Sequence, residues 1–319
     1  MHCYIRMVME KLAIIDLGTN TFHLLVAEWK ENQYAITYQE KLPAKIGAGG
    51  INQSIITLEA IQRSVVVLQS YRQTLKEMGI EQVRAFGTSA LRNASNRTEV
   101  IEKIKQETGI EVKIISGEEE AEYIYRGVRE AVKLGVQKSL IVDIGGGSVE
   151  FIIGNDQEIF WKQSFEIGGQ RLLEKFQKHD PILKEEIEKL NLYLEQSLAP
   201  LWLALHQHKP KTLVGSSGTF DTLSEIYCCK NNILQEQKAE MPFSLNAFDE
   251  IFEELLNKNR AERMQIPGMI ELRVEMIVVA CCLVDFVLKR HRFENIRVSS
   301  YSLKEGVLQL FNQQIKTKP

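Results

Sequence analysis

The sequence predicts an α/β fold built from two related domains. Three observations support this: a length of 319 residues, strand patterns interleaved with helical patterns along the whole chain, and a repeated strand–turn–strand motif. Chains of this length usually divide into more than one domain, and strands mixed with helices form α/β layers. We therefore expect two domains with mixed sheets flanked by helices, 1–128 and 129–319.

The predicted strands are short runs rich in Ile, Val, Phe and Tyr that end at turn residues. Ten such runs occur along the chain, at 12–16, 22–29, 33–40, 82–87, 111–115, 139–143, 149–153, 157–164, 211–215 and 295–299.

The predicted helices show apolar residues at helical spacing between the strands. The clearest, 57–78, places four aliphatic residues near one face, with Thr57 as an N-cap and Gly79 as a stop signal. Further helices are predicted at 118–133, 181–206, 246–257 and 269–290.

Composition excludes several classes of protein. With 44% hydrophobic residues, 25% charged residues and a net charge of −3, the chain has no basic field that would draw it to nucleic acid. The five cysteines form no disulfide framework and show no metal-ligand spacing. The most apolar run, 276–284, is too short to span a bilayer, and the start shows no secretory signal. We expect a cytoplasmic protein without nucleic-acid or membrane partners.

The repeated motif pairs two segments at a constant offset of 127 residues. Residues 14–26 read IIDLGTNTFHLLV, and residues 141–153 read IVDIGGGSVEFII. The matched positions are Asp16 with Asp143, Gly18 with Gly145 and Thr21 with Ser148, while His23 stands where the second copy has Glu150. Two hairpins of one design, one in each half, predict two domains that share a cleft.

Glycine-rich turns allow two interpretations. Each hairpin turn is either a turn that needs positive φ or a loop whose bare N–H groups bind an anion, most often phosphate. A third loop, 215–219, leads from a strand into a helix. The unpaired N–H groups at the start of that helix could be satisfied by capping hydroxyls or by a bound anion. The predicted phosphate-binding residues are Gly18, Thr19, Asn20, Thr21, Arg92, Gly145, Gly146, Gly147, Ser148, Ser216, Ser217, Gly218 and Thr219.

Acidic residues supply the candidates for metal binding and catalysis. Asp16, Asp143 and Glu150 have the oxygen ligands that Mg²⁺ prefers, although an aspartate beside a turn can also simply close an Asx turn. The second hairpin is expected to bring Asp143 and Glu150 near one another at its tip. Glu118, Glu119 and Glu120 begin a helix, where capping explains two of the three. One of them could orient a water toward a phosphate, and their spacing does not choose among them.

Seven segments in constant order resemble one known family. They are AIIDLGTNTFHLLVAE, FGTSALRNASN, IISGEEEAEYIYRGV, LIVDIGGGSVEFIIG, FEIGGQRLLEKF, GSSGTFDTL and VSSYSLKEGVL. Together, from residue 13 to about 308, they resemble the exopolyphosphatase and guanosine pentaphosphate phosphohydrolase family, whose fold is two ribonuclease H-like domains of the actin and sugar-kinase superfamily.

The resemblance implies an Mg²⁺-dependent hydrolase that removes the terminal phosphate from polyphosphate, guanosine pentaphosphate or both. It assigns the catalytic role to Glu120 and metal or water-orienting roles to Asp143 and Glu150. Val149 departs from the usual Thr, and the chain ends soon after the last motif, which puts action on long polymers in doubt. A kinase of the same superfamily and a non-catalytic sensor of guanosine tetra- or pentaphosphate stay open, as does a homodimer.

Overall fold

The structure, a computed structural model, describes residues 11–234 and 238–316. Contacts divide these residues into two compact units. Unit 1 takes 11–50, 54–115 and 307–316, and unit 2 takes 51–53, 116–234 and 238–306.

Unit 1 is a five-stranded sheet with helices. Its elements are β1 (Lys11–Leu17), β2 (Thr21–Lys30), β3 (Gln33–Pro43), α1 (Leu58–Glu77), β4 (Val83–Gly87), α2 (Ser89–Asn93), α3 (Arg97–Thr108) and β5 (Val112–Ile114). The strand order is β3-β2-β1-β4-β5. The first three strands are antiparallel neighbours, whereas β4 and β5 continue the sheet in parallel.

Helix α1 forms as its sequence predicts. The Thr57 hydroxyl accepts a hydrogen bond from the Ala60 amide at 3.2 Å, which satisfies one of the free N–H groups of the first turn. Its apolar face, including Leu68 and Leu75, is buried in the core of unit 1. Gly79, with φ of +67°, ends the helix in a left-handed conformation that carries no side-chain penalty.

Unit 2 is a six-stranded sheet with most of the helices. Its elements are a 3-10 turn (Ile51–Gln53), α4 (Gly117–Ala131), β6 (Ser139–Ile144), β7 (Val149–Gly154), β8 (Ile159–Phe165), α5 (Gly169–Phe176), α6 (Lys184–Ser197), α7 (Ala199–His208), β9 (Thr212–Ser216), α8 (Ser217–Lys230), β10 (Glu240–Met241), α9 (Leu245–Asn257), α10 (Arg260–Arg263), α11 (Ile277–Arg290), β11 (Asn295–Ser299) and the first residues of α12 (Leu303–Lys316).

The two sheets share one topology, which confirms the duplication. Unit 2 has the strand order β10-β11-β9-β6-β7-β8. Read from β8, its first five strands repeat the order of unit 1, with three antiparallel strands followed by two parallel ones. The short β10 is an addition at the edge. All ten predicted strands are present, so the predicted α/β class with mixed sheets is confirmed.

The predicted single helix at 181–206 is wrong, because the chain forms two helices there. α6 ends at Ser197 and α7 begins at Ala199, and Leu198 between them departs from helical backbone, with ψ of 13°. Pro200 stands at the start of α7. Proline has no N–H to donate to a carbonyl of the preceding turn, so it is tolerated in the first turn of a helix but not in its interior.

The predicted start of helix 269–290 is also wrong. Residues 271–276 form turns, and α11 begins only at Ile277. The Val274 carbonyl accepts a hydrogen bond from Nε of the buried Arg263 at 3.1 Å, so a side chain takes an acceptor that a continuous helix would use.

Helix α4 belongs to unit 2, since it packs against β7 and β8. The division by contacts therefore falls between Ile115 and Ser116, ahead of the domain boundary predicted at 128–129. Within the described residues, no helix combines the length and apolarity that a membrane crossing requires.

We expect Gly306→Ala to destabilise unit 2, because α4 and α12 approach each other at backbone distance. A β-carbon at Gly306 would lie 1.7 Å from the Tyr123 carbonyl oxygen, and one at Gly127 would lie 2.0 Å from that of Ser302. Overpacking of this kind costs about 1–3 kcal/mol. Urea unfolding should show a lower midpoint with an unchanged slope. An unchanged midpoint would contradict the close approach.

Candidate active site

The two hairpins at 16 and 143 share one register. Asp16 lies opposite His23 in unit 1, and Asp143 lies opposite Glu150 in unit 2. Cross-strand partners project from the same face of a sheet with β-carbons about 4.5–5.5 Å apart. The hairpin in unit 2 therefore brings two carboxylates together beside its turn, as its sequence predicts, whereas the hairpin in unit 1 pairs a carboxylate with an imidazole.

Asp143 is buried among serine hydroxyls. Its Oδ2 accepts hydrogen bonds from Ser217 Oγ at 2.7 Å and from Ser302 Oγ at 2.5 Å. Burial raises the pKa of the Asp143 carboxyl, and the serine hydroxyls and the charge of Arg273 act in the opposite direction. The hydroxyls fix the orientation of the carboxylate, because both donate to the same oxygen.

Glu150 is the most deeply buried of the carboxylates, with 1% of its surface exposed. Its Oε1 accepts a hydrogen bond from Ser164 Oγ at 2.6 Å. Burial raises the pKa of Glu150 well above its usual range, and the negative charges of Glu120 and Asp143 raise it further. Glu150 thus lies within electrostatic reach of two other buried carboxylates, an arrangement that a cation would stabilise.

The three glutamates at the start of α4, residues 118–120, have different environments in the structure. Ser116 and Glu119 form a reciprocal capping box, with Ser116 Oγ accepting from the Glu119 amide at 3.1 Å and Glu119 Oε2 accepting from the Ser116 amide at 3.0 Å. Glu118 is exposed beside Lys162. Glu120 alone is buried, and its charge acts on Glu150. The structure thus separates one buried glutamate from two with ordinary helix-start roles.

The glycine loop 145–147 is held by its carbonyl groups. The amides of Gly168, Gly169 and Gln170 donate to the carbonyls of Gly147, Gly145 and Gly146, at 3.1, 2.9 and 2.8 Å. The start of α5 therefore occupies the acceptor side of the loop. In the part of the chain that the structure describes, the amides of Gly146, Gly147 and Ser148 donate to no backbone carbonyl, so they can serve an anion.

In unit 1 the turn 18–21 is likewise held by hydrogen bonds to its carbonyl groups. The carbonyl of Asn20 accepts from the amides of Ala44 and Lys45 at 3.1 and 2.8 Å, and that of Thr19 accepts from Gly47 at 3.0 Å. In both units the segment that follows the third strand supplies the donors. The side chains of Thr19, Asn20 and Thr21 are themselves buried.

The third loop, Ser216 to Thr219, turns sharply from β9 into α8. Ser217 has φ of +67°, a left-handed conformation that costs a non-glycine residue of order 1–3 kcal/mol. Its hydrogen bond to Asp143 holds it there. Ser216 lies opposite Asp143 in the parallel β6–β9 ladder. This loop is therefore joined to the carboxylate pair within unit 2.

Arg273 is a member of the site that sequence reasoning missed. It is 8% exposed, and a β-carbon on Gly218 would lie 1.9 Å from its Nη2, so the guanidinium lies directly on the loop backbone. Its Nε is buried without an acceptor among the described residues. Burial lowers the pKa of Arg273, and the charges of Asp221 and Asp143 counteract that shift. The sequence analysis placed Arg273 inside the predicted helix 269–290, whereas the structure places it in the turns before α11.

Arg92, the predicted phosphate-binding arginine, lies in unit 1 at the end of α2. One of its guanidinium nitrogens donates to the Ile115 carbonyl at 3.3 Å. Nearby, Thr88 Oγ1 donates to the Leu17 carbonyl at 3.3 Å. The structure thus joins the loop after β4 to the end of β1, the strand that carries Asp16.

The carboxylates of unit 2 fit the Mg²⁺ that the resemblance implies. Among the described residues, no group of three or more His, Cys, Asp or Glu side chains is arranged to enclose a metal ion. Mg²⁺ usually keeps several waters and binds through one or two carboxylates together with substrate phosphates. The buried pair of Asp143 and Glu150 supplies such a partial, oxygen-only donor set.

We expect Gly168→Ala to displace the glycine loop, while its neighbour serves as a matched control. A β-carbon at Gly168 would lie 2.4 Å from the backbone carbon of Gly146, whereas one at Gly169 would make only ordinary contacts, the nearest at 3.5 Å. Gly168→Ala should therefore lower the unfolding temperature by several degrees, and Gly169→Ala should leave it nearly unchanged. Equal unfolding temperatures for the two variants would contradict this geometry.

Comparisons with known proteins give the chain its family. The model of the Ppx/GppA phosphatase family matches residues 25–312. An exopolyphosphatase from Cytophaga hutchinsonii ATCC 33406 is 44% identical, with 95% of this chain and 98% of that chain covered and a TM-score of 0.93. A Ppx/GppA family member from Aquifex aeolicus is 25% identical, with 97% and 99% covered and a TM-score of 0.78. The two mixed sheets flanked by helices match the two-domain actin-like fold of these neighbours, and the chain belongs to the Ppx/GppA phosphatase family.

Proposed function

We propose that the chain removes the terminal phosphate from inorganic polyphosphate by Mg²⁺-assisted attack of water oriented by Glu120. Membership of the phosphatase family supports hydrolysis, and the 44% identical exopolyphosphatase favours polyphosphate as the substrate. The observation that carries the proposal is the placement of Glu150, which lies opposite Asp143 in the hairpin and within reach of the charge of Glu120, in the same unit as the glycine loop. Among the described residues, the amides of that loop donate to no backbone carbonyl.

Binding begins at the glycine loop in this mechanism. Oxygens of the terminal phosphate accept hydrogen bonds from the amides of Gly146, Gly147 and Ser148, which the start of α5 has already oriented. The loop of Ser216, Ser217, Gly218 and Thr219 adds donors at the start of α8, where the helix dipole favours negative charge. Because these donors are fixed before the substrate arrives, little reorganisation opposes the reaction.

Water attack then requires a group that orients the nucleophile. The Glu120 carboxylate accepts a hydrogen bond from the water and takes its proton as oxygen bonds to the terminal phosphorus. The bond from phosphorus to the bridging oxygen breaks, so the products are orthophosphate and a polyphosphate shorter by one unit. Asp143 and Glu150 would hold the cation, and Mg²⁺ bound there would supply charge neutralisation at the phosphoryl oxygens.

Unit 1 supplies the remaining proposed contacts. Gly18, Thr19, Asn20 and Thr21 form a second phosphate loop built on the same backbone device, Arg92 binds phosphate, and Asp16 is the counterpart of Asp143 in the repeat. The prediction that both hairpin turns serve one ligand stays a prediction.

Phosphate release from four substrates tests this function. We expect orthophosphate from short polyphosphate, with loss of turnover when EDTA removes divalent cations and recovery on addition of Mg²⁺. Long polyphosphate, guanosine pentaphosphate and ATP are assayed beside it. Exclusive cleavage of guanosine pentaphosphate would identify this nucleotide, and not polyphosphate, as the substrate. Binding without release from any of the four would favour a sensor, and phosphate transfer from ATP to an acceptor would favour a kinase.

We expect Glu120→Gln to lower kcat by ~10²- to 10⁴-fold, because the amide cannot take the proton of the attacking water. Binding of tripolyphosphate by calorimetry should persist in this variant. Glu118→Gln is the matched control, since it changes an exposed glutamate in the same helical turn. Activity of Glu120→Gln close to that of Glu118→Gln would refute the assigned role.

A further inference from the structure

Arg171 lies in α5, shortly after the glycine pair of the segment EIGGQRLLEKF. Its side chain is buried, and every guanidinium nitrogen donates to a protein acceptor. Nε donates to the Gly147 carbonyl at 2.9 Å, Nη1 to the Ile51 carbonyl at 2.7 Å, and Nη2 to Glu166 Oε2 at 3.2 Å. A guanidinium committed to three acceptors in this way is held in one orientation.

The first of these bonds acts on the proposed phosphate loop. The Gly147 carbonyl accepts from the Gly168 amide as well as from Arg171 Nε. Two donors on one carbonyl fix the peptide plane that joins Gly147 to Ser148. Because the N–H of that peptide belongs to Ser148, fixing the carbonyl on one side aims the amide toward the other. Arg171 therefore determines the direction of a donor that it does not itself present to substrate.

The second bond fixes the 3-10 turn Ile51–Gln53, which belongs to unit 2 by its contacts although it precedes α1 in the chain. Asn52 Nδ2 donates to Glu174 Oε2 at 3.1 Å, so α5 carries a second anchor for this turn. The Ile51 carbonyl of this turn accepts a hydrogen bond from one terminal guanidinium nitrogen of Arg171, and the Glu166 carboxylate accepts one from the other. These contacts hold the positive charge in place behind the loop.

We propose that Arg171 is a positioning residue for the proposed polyphosphate reaction: it clamps the carbonyl of Gly147 so that the glycine loop presents its amides to the substrate phosphate. The inference rests on the proposed function for its substrate. It differs from a direct ion pair, because a clamp depends on the planar fork of the guanidinium and not on its charge alone.

The test compares Arg171→Met and Arg171→Lys with the wild type. Methionine removes a charge-assisted hydrogen bond to the Gly147 carbonyl, so we expect a fall of ~10- to 100-fold in kcat/KM for Arg171→Met. Lysine keeps the charge but lacks the fork, so Arg171→Lys should be nearly as impaired. Methylguanidinium added to Arg171→Ala should restore part of kcat/KM.

Arg297→Met provides the matched control. Arg297 also bonds a carboxylate and a carbonyl in unit 2, through Glu240 and Lys133, and among the hydrogen bonds of the described residues none joins it to the glycine loop. The kcat/KM of the Arg297→Met variant should stay within about twofold of that of the wild type. Full activity of Arg171→Lys would overturn the clamp, because it would show that a positive charge at this position is sufficient. Full activity of Arg171→Met would show that Arg171 has no role in the reaction. Failure of both variants to fold would assign Arg171 to stability alone and would also overturn the proposal.

Tripolyphosphate binding separates this inference from the proposed function. If the wild-type protein binds tripolyphosphate without hydrolysing it, the proposed reaction fails, while the clamp still predicts weaker binding by Arg171→Lys and Arg171→Met. If the wild type hydrolyses polyphosphate and all Arg171 variants match its kcat/KM and affinity, the clamp fails and the reaction stands.

Discussion

The burial of Glu150 against two other carboxylates is the constraint on which the site depends. Each negative charge taken out of water costs free energy, and Glu120 and Asp143 add repulsion to that cost. Hydroxyl donors offset part of it, from Ser164 at Glu150 and from Ser217 and Ser302 at Asp143. Such a cluster of buried carboxylates is unfavourable by itself and would be relieved by a cation. Strongly perturbed carboxyl groups of this kind are typical of functional sites.

The duplication explains how this arrangement is built and where the two copies differ. Both units place an aspartate at the end of a first strand, a turn after it, and a donor segment that binds the carbonyls of that turn. Only unit 2 has a glutamate opposite its aspartate, and only its turn consists of three glycines. The shared framework therefore holds the turn by its carbonyl groups in both units, whereas the carboxylate pair belongs to unit 2.

Much of this framework was predictable from local pattern. Strand runs, the repeat and the Thr57 cap depend on residues close together in the chain, and the structure contains all of them. The repeat also placed Asp143 beside Glu150, because hairpin register follows from a short turn. The break in the predicted helix at 181–206 has a local signal, Pro200, which lies inside that segment. The start of α11, in contrast, depends on a residue outside the helix, because the side chain of Arg263 bonds the Val274 carbonyl.

The missed parts of the site share the same cause. Ser302 and Arg273 reach Asp143 and Gly218 from far along the chain, and no spacing rule connects them. The spacing of the three adjacent glutamates left their roles open and only the resemblance selected Glu120, whereas burial and capping separate the three in the structure. The clamping role of Arg171 likewise depends on the carbonyl of Gly147 and on a turn at Ile51, which its own sequence neighbourhood does not contain.

Diffraction from crystals grown with Mn²⁺ and tripolyphosphate tests the central claim most directly, because manganese scatters anomalously and substitutes for magnesium. The account predicts an anomalous peak at coordination distance, about 2.1 Å, from a carboxylate oxygen of Asp143 or Glu150. It also predicts a phosphate group on the amides of Gly146, Gly147 and Ser148. A manganese peak remote from both carboxylates, with the phosphate bound elsewhere, would contradict it.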